Sequence, residues 1–184
     1  MSARVIILNG TSSVGKSSTI KALQSIASKP FLHIQFDAFL AMLPTSMFGH
    51  PDGIIFEIVE AEGKPSMTIE MGSVMLNLLR GMRGAVATMA TEGNNQIVDD
   101  VMLGVGDQIY YRQVLGDTEV HFVGLFAPLE ILEQREQDRG DRLIGLARWQ
   151  YDRVHQGVEY DLEIDTSEAL PEECAQKIAT VLNL

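Results

Sequence analysis

Arg4-Val5-Ile6-Ile7-Leu8-Asn9-Gly10-Thr11-Ser12-Ser13-Val14-Gly15-Lys16-Ser17-Ser18 decides how the rest of the chain is read. Residues 5–8 are apolar without alternation, as in a strand buried on both faces of a parallel sheet. Residues 10–17 then fit G-x-x-x-x-G-K-[ST] at every fixed position. Apolar residues at Ile20, Leu23 and Ile26 follow with helical spacing, so a helix is expected over 15–27. Strand, glycine-rich turn and helix together make a phosphate loop. Its backbone N–H groups cradle phosphates, and its glycines allow the chain to turn inward. Gly10, Thr11, Ser12, Ser13, Val14, Gly15, Lys16, Ser17 and Ser18 are the expected nucleotide contacts. Lys16 should reach the β- and γ-phosphates of ATP, and Ser17 should ligate Mg²⁺.

Outward from this loop, strands alternate with helices. Strands are expected at 31–36, 96–98, 120–126 and 162–164. Helices are expected at 66–91, 108–115, 129–137, 144–155 and 171–182, and a short one ends near Leu43. Residues 44–65 carry mixed signals and suit an excursion with a small hairpin near 54–59. The pattern implies an α/β fold: a doubly wound, five-stranded parallel sheet flanked by helices, of the P-loop kinase kind. Residues 1–184 read as a single domain. Right-handed crossovers would bring the loops after Leu8, Phe36, Val98 and Ile164 to one rim.

Composition narrows the partners. The chain has 184 residues, with 14 basic against 25 acidic and a net charge of −11. No basic footprint for a nucleic acid is present. A short cluster of Arg135, Arg139, Arg142, Arg148 and Arg153 suits a compact phosphate instead. No apolar run approaches the roughly 18 residues of a membrane span, and no signal-peptide layout opens the chain, so no membrane association and a cytoplasmic location are expected. Cys174 is the one cysteine, expected in the core of a closing helix. A homo-oligomer is compatible with the sequence.

Several side chains are candidates for the chemistry. Asp99-Asp100 ends an apolar strand, where a phosphate-loop protein places an acidic residue that serves Mg²⁺. Alternation points the two to opposite faces, so the choice between them stays open. Asp37, at the end of the second strand, is placed to take the proton of an attacking hydroxyl, or else to cap the next helix. Arg135, Arg139 and Arg142 lie around Gly140 in a lid at about 135–145, where arginines can neutralise the transferring phosphoryl group. His33, His50, His121 and His155 lack metal-ligand spacing and read as structural. Methionines at 71, 75 and 82 read as core, although the region 38–92 is where an acceptor pocket is expected, and thioethers suit an apolar ring.

The opening 4–10 with Ser12-Ser13 and Gly15-Lys16-Ser17 resembles that of the chloramphenicol phosphotransferase family. The resemblance continues through Leu23-Gln24-Ser25, Asp37, Asp99-Asp100-Val101, Leu103-Gly104, Arg139-Gly140-Asp141-Arg142 and residues 155–161. It implies ATP- and Mg²⁺-dependent phosphorylation of a primary hydroxyl of chloramphenicol, which inactivates the antibiotic. By the same resemblance Asp37 is the general base, Lys16 and Ser17 bind phosphate and metal, and the arginines of 135–142 stabilise transferred charge. Departures fall mostly between 38 and 92, with Phe36 and Phe39 beside Asp37 and His50-Pro51-Asp52-Gly53 unlike the family pattern. The chemistry therefore transfers better than the acceptor. A toxin-like nucleotide-sugar kinase and a non-catalytic nucleotide switch are the alternatives. No N-K-x-D element of a guanine switch occurs, and Asp165-Thr166-Ser167 reads as an adenine-side loop.

Overall fold

A computed structural model describes residues 3–61, 63–140 and 143–184. Five strands form a parallel sheet: β1 (Arg4–Asn9), β2 (Leu32–Gln35), β5 (Gln96–Asp99), β6 (Glu119–Phe126) and β7 (Leu162–Asp165). Their order is β2-β5-β1-β6-β7. β1 is central, and its uninterrupted apolar run is explained by burial on both sides. Ile6 and Leu8 pack with α1 (Lys16–Ile26) and α7 (Pro171–Leu182). Val5 and Ile7 pack with α3 (Ser73–Thr91) and α4 (Val105–Leu115) on the other face. Each such side chain contributes roughly 1.5–3 kcal/mol through burial. Cys174 lies in the α1/α7 core.

The chain leaves β1 in one direction toward β2 and returns later to β6 on the other side. The loop after β1 therefore sits at the carboxyl-end crevice where strand order reverses, the position at which α/β sheets bind ligands.

The excursion differs from its expected form. β3 (Ile54–Ala61) and β4 (Lys64–Met71) make an antiparallel hairpin, and α3 begins only at Ser73. Residues 66–71 are thus strand rather than helix. Met67, Ile69 and Met71 alternate, and the register sets them opposite Ile58, Phe56 and Ile54. Cross-strand apolar pairing outweighs the helical spacing that Met71 shares with Met75. Gly72 makes the turn into α3, where a Cβ would stand 2.0 Å from the Pro51 carbonyl oxygen.

The second strand is also shorter than read. It stops at Gln35, and Phe36 opens α2 (Phe36–Leu40), so Asp37 lies in the first turn of a helix rather than at a strand end. Gln35, not Asp37, is the N-cap. α4 starts three residues before the expected 108, after Gly104. α5 runs Leu129–Arg139, and α6 is confined to Leu146–Tyr151, well inside the expected 144–155.

Candidate active site

The phosphate loop is built as the sequence requires. Gly15 carries φ 102°, a left-handed conformation that glycine adopts without a Cβ penalty, and hands the chain directly to α1. Lys16 is only 8% exposed. Its Nζ donates to the carbonyls of Gly10 at 2.8 Å and Thr11 at 3.0 Å, and stands 3.8 Å from Asp99 Oδ1. Ser17 Oγ donates to Asp99 Oδ2 at 2.7 Å. Burial by itself pushes the Asp99 carboxyl up. The approach of His33 Nε2, at 3.7 Å and so beyond a hydrogen bond, the Lys16 charge and the Ser17 hydroxyl more than offset this and leave it below its ordinary value.

The adjacent carboxylate faces elsewhere. Asp100 is 1% exposed. Tyr111 Oη donates to it at 2.8 Å, and Arg83 Nη2 lies at 3.4 Å. Arg83 Nη1 also pairs with Asp107 at 2.5 Å. Burial works against the Arg83 guanidinium, but Asp100 and Asp107 outweigh it and hold its pKa above the ordinary value. Asp100 thus serves a buried ion cluster under α3 and α4.

A cavity of about 710 Å³ opens from the phosphate loop. Asp99 and Gln150, both bonded to the loop, line it, as do Asp37 and Arg139. Phe36, Leu40, Phe56, Ile69, Met71 and Leu79 line it too. The hairpin and α3 thus form an apolar wall. Met75 and Met82 are buried in the core as read, whereas Met71 reaches the cavity. Arg135 lies apart: its guanidinium donates to the Thr166 carbonyl at 2.7 Å and the Ser167 carbonyl at 3.1 Å. That places it against the loop after β7. Arg142 lies outside the described residues.

A profile of chloramphenicol phosphotransferase-like proteins matches residues 3–183. The chain belongs to the chloramphenicol phosphotransferase-like family. An inferred O-phosphotransferase of Mycobacterium tuberculosis strain H37Rv is 30% identical over 180 residues, which span 95% of this chain and 80% of that protein. Among solved structures, M. tuberculosis APS kinase CysC in complex with AMPPNP and APS aligns with TM-score 0.69 at 15% identity, covering 99% of this chain and 98% of that one. A gluconokinase of Sinorhizobium meliloti 1021 aligns with TM-score 0.64 at 16% identity, covering 99% and 93%. The fold of this family member is that of P-loop kinases. No helix among its described residues is long and apolar enough to cross a membrane.

Sequence reasoning missed two buried polar side chains of this site. Glu136, 1% exposed, accepts the backbone N–H groups of Gly145 at 2.7 Å and Ala147 at 2.8 Å. It follows buried Leu132 by four residues, a helix-face signal hidden by its charged neighbours. Gln150 accepts the Ser12 N–H at 2.5 Å. Its signal was a polar residue in the buried stripe of Ala147 and Val154. His155, read as structural, stacks on Phe126 at 3.9 Å and meets Tyr160 Oη at 2.7 Å through Nδ1.

Proposed function

We propose that this protein is an ATP- and Mg²⁺-dependent O-phosphotransferase. It would move the γ-phosphoryl group to a hydroxyl of a small molecule with an apolar body, chloramphenicol or a compound like it. One observation carries the reading: a single cavity is lined by the phosphate-loop residues, Asp37, Arg139 and an apolar set from the hairpin, α2 and α3. Such a wall suits an apolar ring, and Gln35, Arg80, Asp107 and Tyr110 in the same cavity offer polar partners for its substituents.

The donor set fits magnesium. Ser17 Oγ and the Asp99 carboxylate are hard oxygens held together. Among the described residues no three His, Cys, Asp or Glu side chains form a metal cluster. Mg²⁺ is commonly held this way, by one or two protein oxygens with substrate phosphates and water. Bound there, the ion would neutralise charge between the β- and γ-phosphates. Asp99 rather than Asp100 is the residue we assign to it.

Asp37 takes the proton of the acceptor hydroxyl while that oxygen bonds to the γ-phosphorus. The bond from phosphorus to the β–γ bridging oxygen breaks, and ADP keeps its electron pair. Lys16 and Arg139 offset negative charge on the phosphoryl oxygens. Arg135, held against Thr166 and Ser167, is assigned to the base side of the nucleotide, where a planar guanidinium can stack.

The test is a panel of hydroxylated compounds, including chloramphenicol, neutral sugars and a nucleotide sugar, scored by mass for ATP-dependent gain of one phosphoryl group. A product from an apolar-bodied alcohol is expected. Asp37→Asn should lower its formation by roughly 10²- to 10⁴-fold with ATP affinity nearly intact. Full activity in that variant would end the general-base assignment. Absence of any acceptor-dependent ADP release across the panel would end the kinase reading.

A further inference from the structure

Gln150 lies on α6, which crosses the mouth of the phosphate loop. Its side chain is 6% exposed and stands in an apolar stripe with Ala147 and Val154. A carboxamide in such a place costs stability unless its polar atoms are bonded. One of them is: Oε1 accepts the Ser12 N–H at 2.5 Å, between the two glycines of the loop. A backbone N–H can only donate, so the atom facing Ser12 must be oxygen. The NH₂ group is therefore the other prong. Among the described residues Nε2 makes no hydrogen bond, and it stays open to water rather than sealed in the core. Gln150 nevertheless lines the cavity together with Lys16 and Arg139.

Both ends of the segment carrying Gln150 are fixed. Before it, Glu136 holds the N–H groups of Gly145 and Ala147. After it, Asn9 Nδ2 donates to the Val154 carbonyl at 2.6 Å. Asn9 is the residue preceding the phosphate loop, and its own Oδ1 accepts the Met102 N–H at 2.8 Å. The carboxamide is thus registered to the loop from two directions and needs no rearrangement to present its donors.

We propose that Gln150 is a catalytic residue whose Nε2 hydrogens bond an oxygen of the phosphoryl group in transit. The inference rests on the phosphotransferase reading above. No proton is exchanged at Gln150, and the bonds made and broken are those already given. In a loose transition state, negative charge is spread over the equatorial phosphoryl oxygens. A fixed neutral donor stabilises it at no cost in reorganisation.

Gln150→Glu and Gln150→Ala together separate this role from a structural one. Glutamate keeps the side-chain length and an oxygen for Ser12 N–H, but replaces both donors with an acceptor. Its added negative charge would itself repel a γ-phosphate, so the uncharged Gln150→Ala is measured beside it and is the arm that decides. The expected result in both is kcat lower by about 10²-fold with acceptor KM little changed. A second readout needs no acceptor. Calorimetry with Mg²⁺ should show affinity for AMPPNP reduced roughly 10- to 100-fold while affinity for ADP is unchanged. That comparison stands even if the acceptor reading fails, so the two failures are distinguishable. The same loss of preference for AMPPNP over ADP is expected in Gln150→Ala. Wild-type kcat in either variant, or an unchanged AMPPNP-to-ADP preference in Gln150→Ala, would overturn the proposal.

Discussion

At the scale of single residues, the site divides by what each side chain touches. Lys16 is buried under carbonyls and beside Asp99, so Lys16→Ala removes the cation we assign to the phosphates and leaves a small void. ATP turnover should fall by about 10²-fold or more, measured by coupled ADP release. Arg139 and Arg135 should part company. Arg139 lines the cavity, so Arg139→Ala is expected to lower kcat more than it raises KM for ATP. Arg135 is held by Thr166 and Ser167, so Arg135→Ala should raise KM for ATP with a smaller loss of kcat. Equal effects of the two on kcat would refute the division. The strand–loop–helix build of residues 4–26 was legible in the sequence because an unbroken apolar run, a glycine that turns left-handed and helical spacing follow one another there. Asp99 and Asp100 were not separable on sequence: alternation says they diverge, but only the sheet's position shows which face holds Ser17 and which holds Arg83.

At the scale of elements, chain-local periodicity was a good guide where an element packs on the sheet and a poor one where it does not. The sheet strands and the α1 and α7 helices follow from apolar runs and 3.6-residue spacing. The hairpin does not, because its strands are specified by pairing with each other. Met67 and Met71 fit both periods, Ile69 fits only alternation, and cross-strand register decides for the strand. The hairpin then reaches α5 and α6: Lys64 pairs with Glu133 at 3.1 Å, and Glu133 pairs also with Arg148. Between α5 and α6 the main tie is Glu136, a buried carboxylate accepting two N–H groups ahead of and inside α6. Glu136→Gln puts an NH₂ group against one of those donors. It should destabilise by about 1–3 kcal/mol, seen calorimetrically as a melting temperature lower by roughly 3–10 °C for a chain of this size. A melting temperature within about 1 °C of wild type would mean that α6 does not depend on this tie.

At the scale of the whole molecule, the polar network rooting the phosphate loop includes a side chain that stays neutral. His155 is that half-buried member. Burial first, and then the Lys16 charge, lower its pKa from 6.5 to about 4. Its Nδ1 partner Tyr160 is pushed up to about 12, with burial the main cause. Tyr160 Oη also meets Asn9 Nδ2 at 2.7 Å, so the neutral imidazole belongs to the network that roots the phosphate loop. The consequence for stability has a definite sign. In the unfolded chain the imidazole takes up a proton as pH falls through about 6.5, whereas in the fold it does so only near 4. Between those values the unfolded state binds more protons, so stability must fall as pH falls. Its contribution is fully present above about 6.5 and is lost progressively on the way down to about 4. The imidazole is partly solvated, so the effect is smaller than the shift alone would give. His155→Gln removes the titration and keeps a polar side chain. The slope of melting temperature against pH between 6.5 and 4 should therefore be shallower in the variant than in wild type, whatever the variant's absolute stability. Carboxylates such as Asp99, held below its ordinary value, add their own loss at the acid end in both proteins and cancel in the comparison. Parallel slopes across that window would mean that His155 titrates alike in the folded and unfolded chain, and the stacked imidazole could not then be a neutral member of the loop's support.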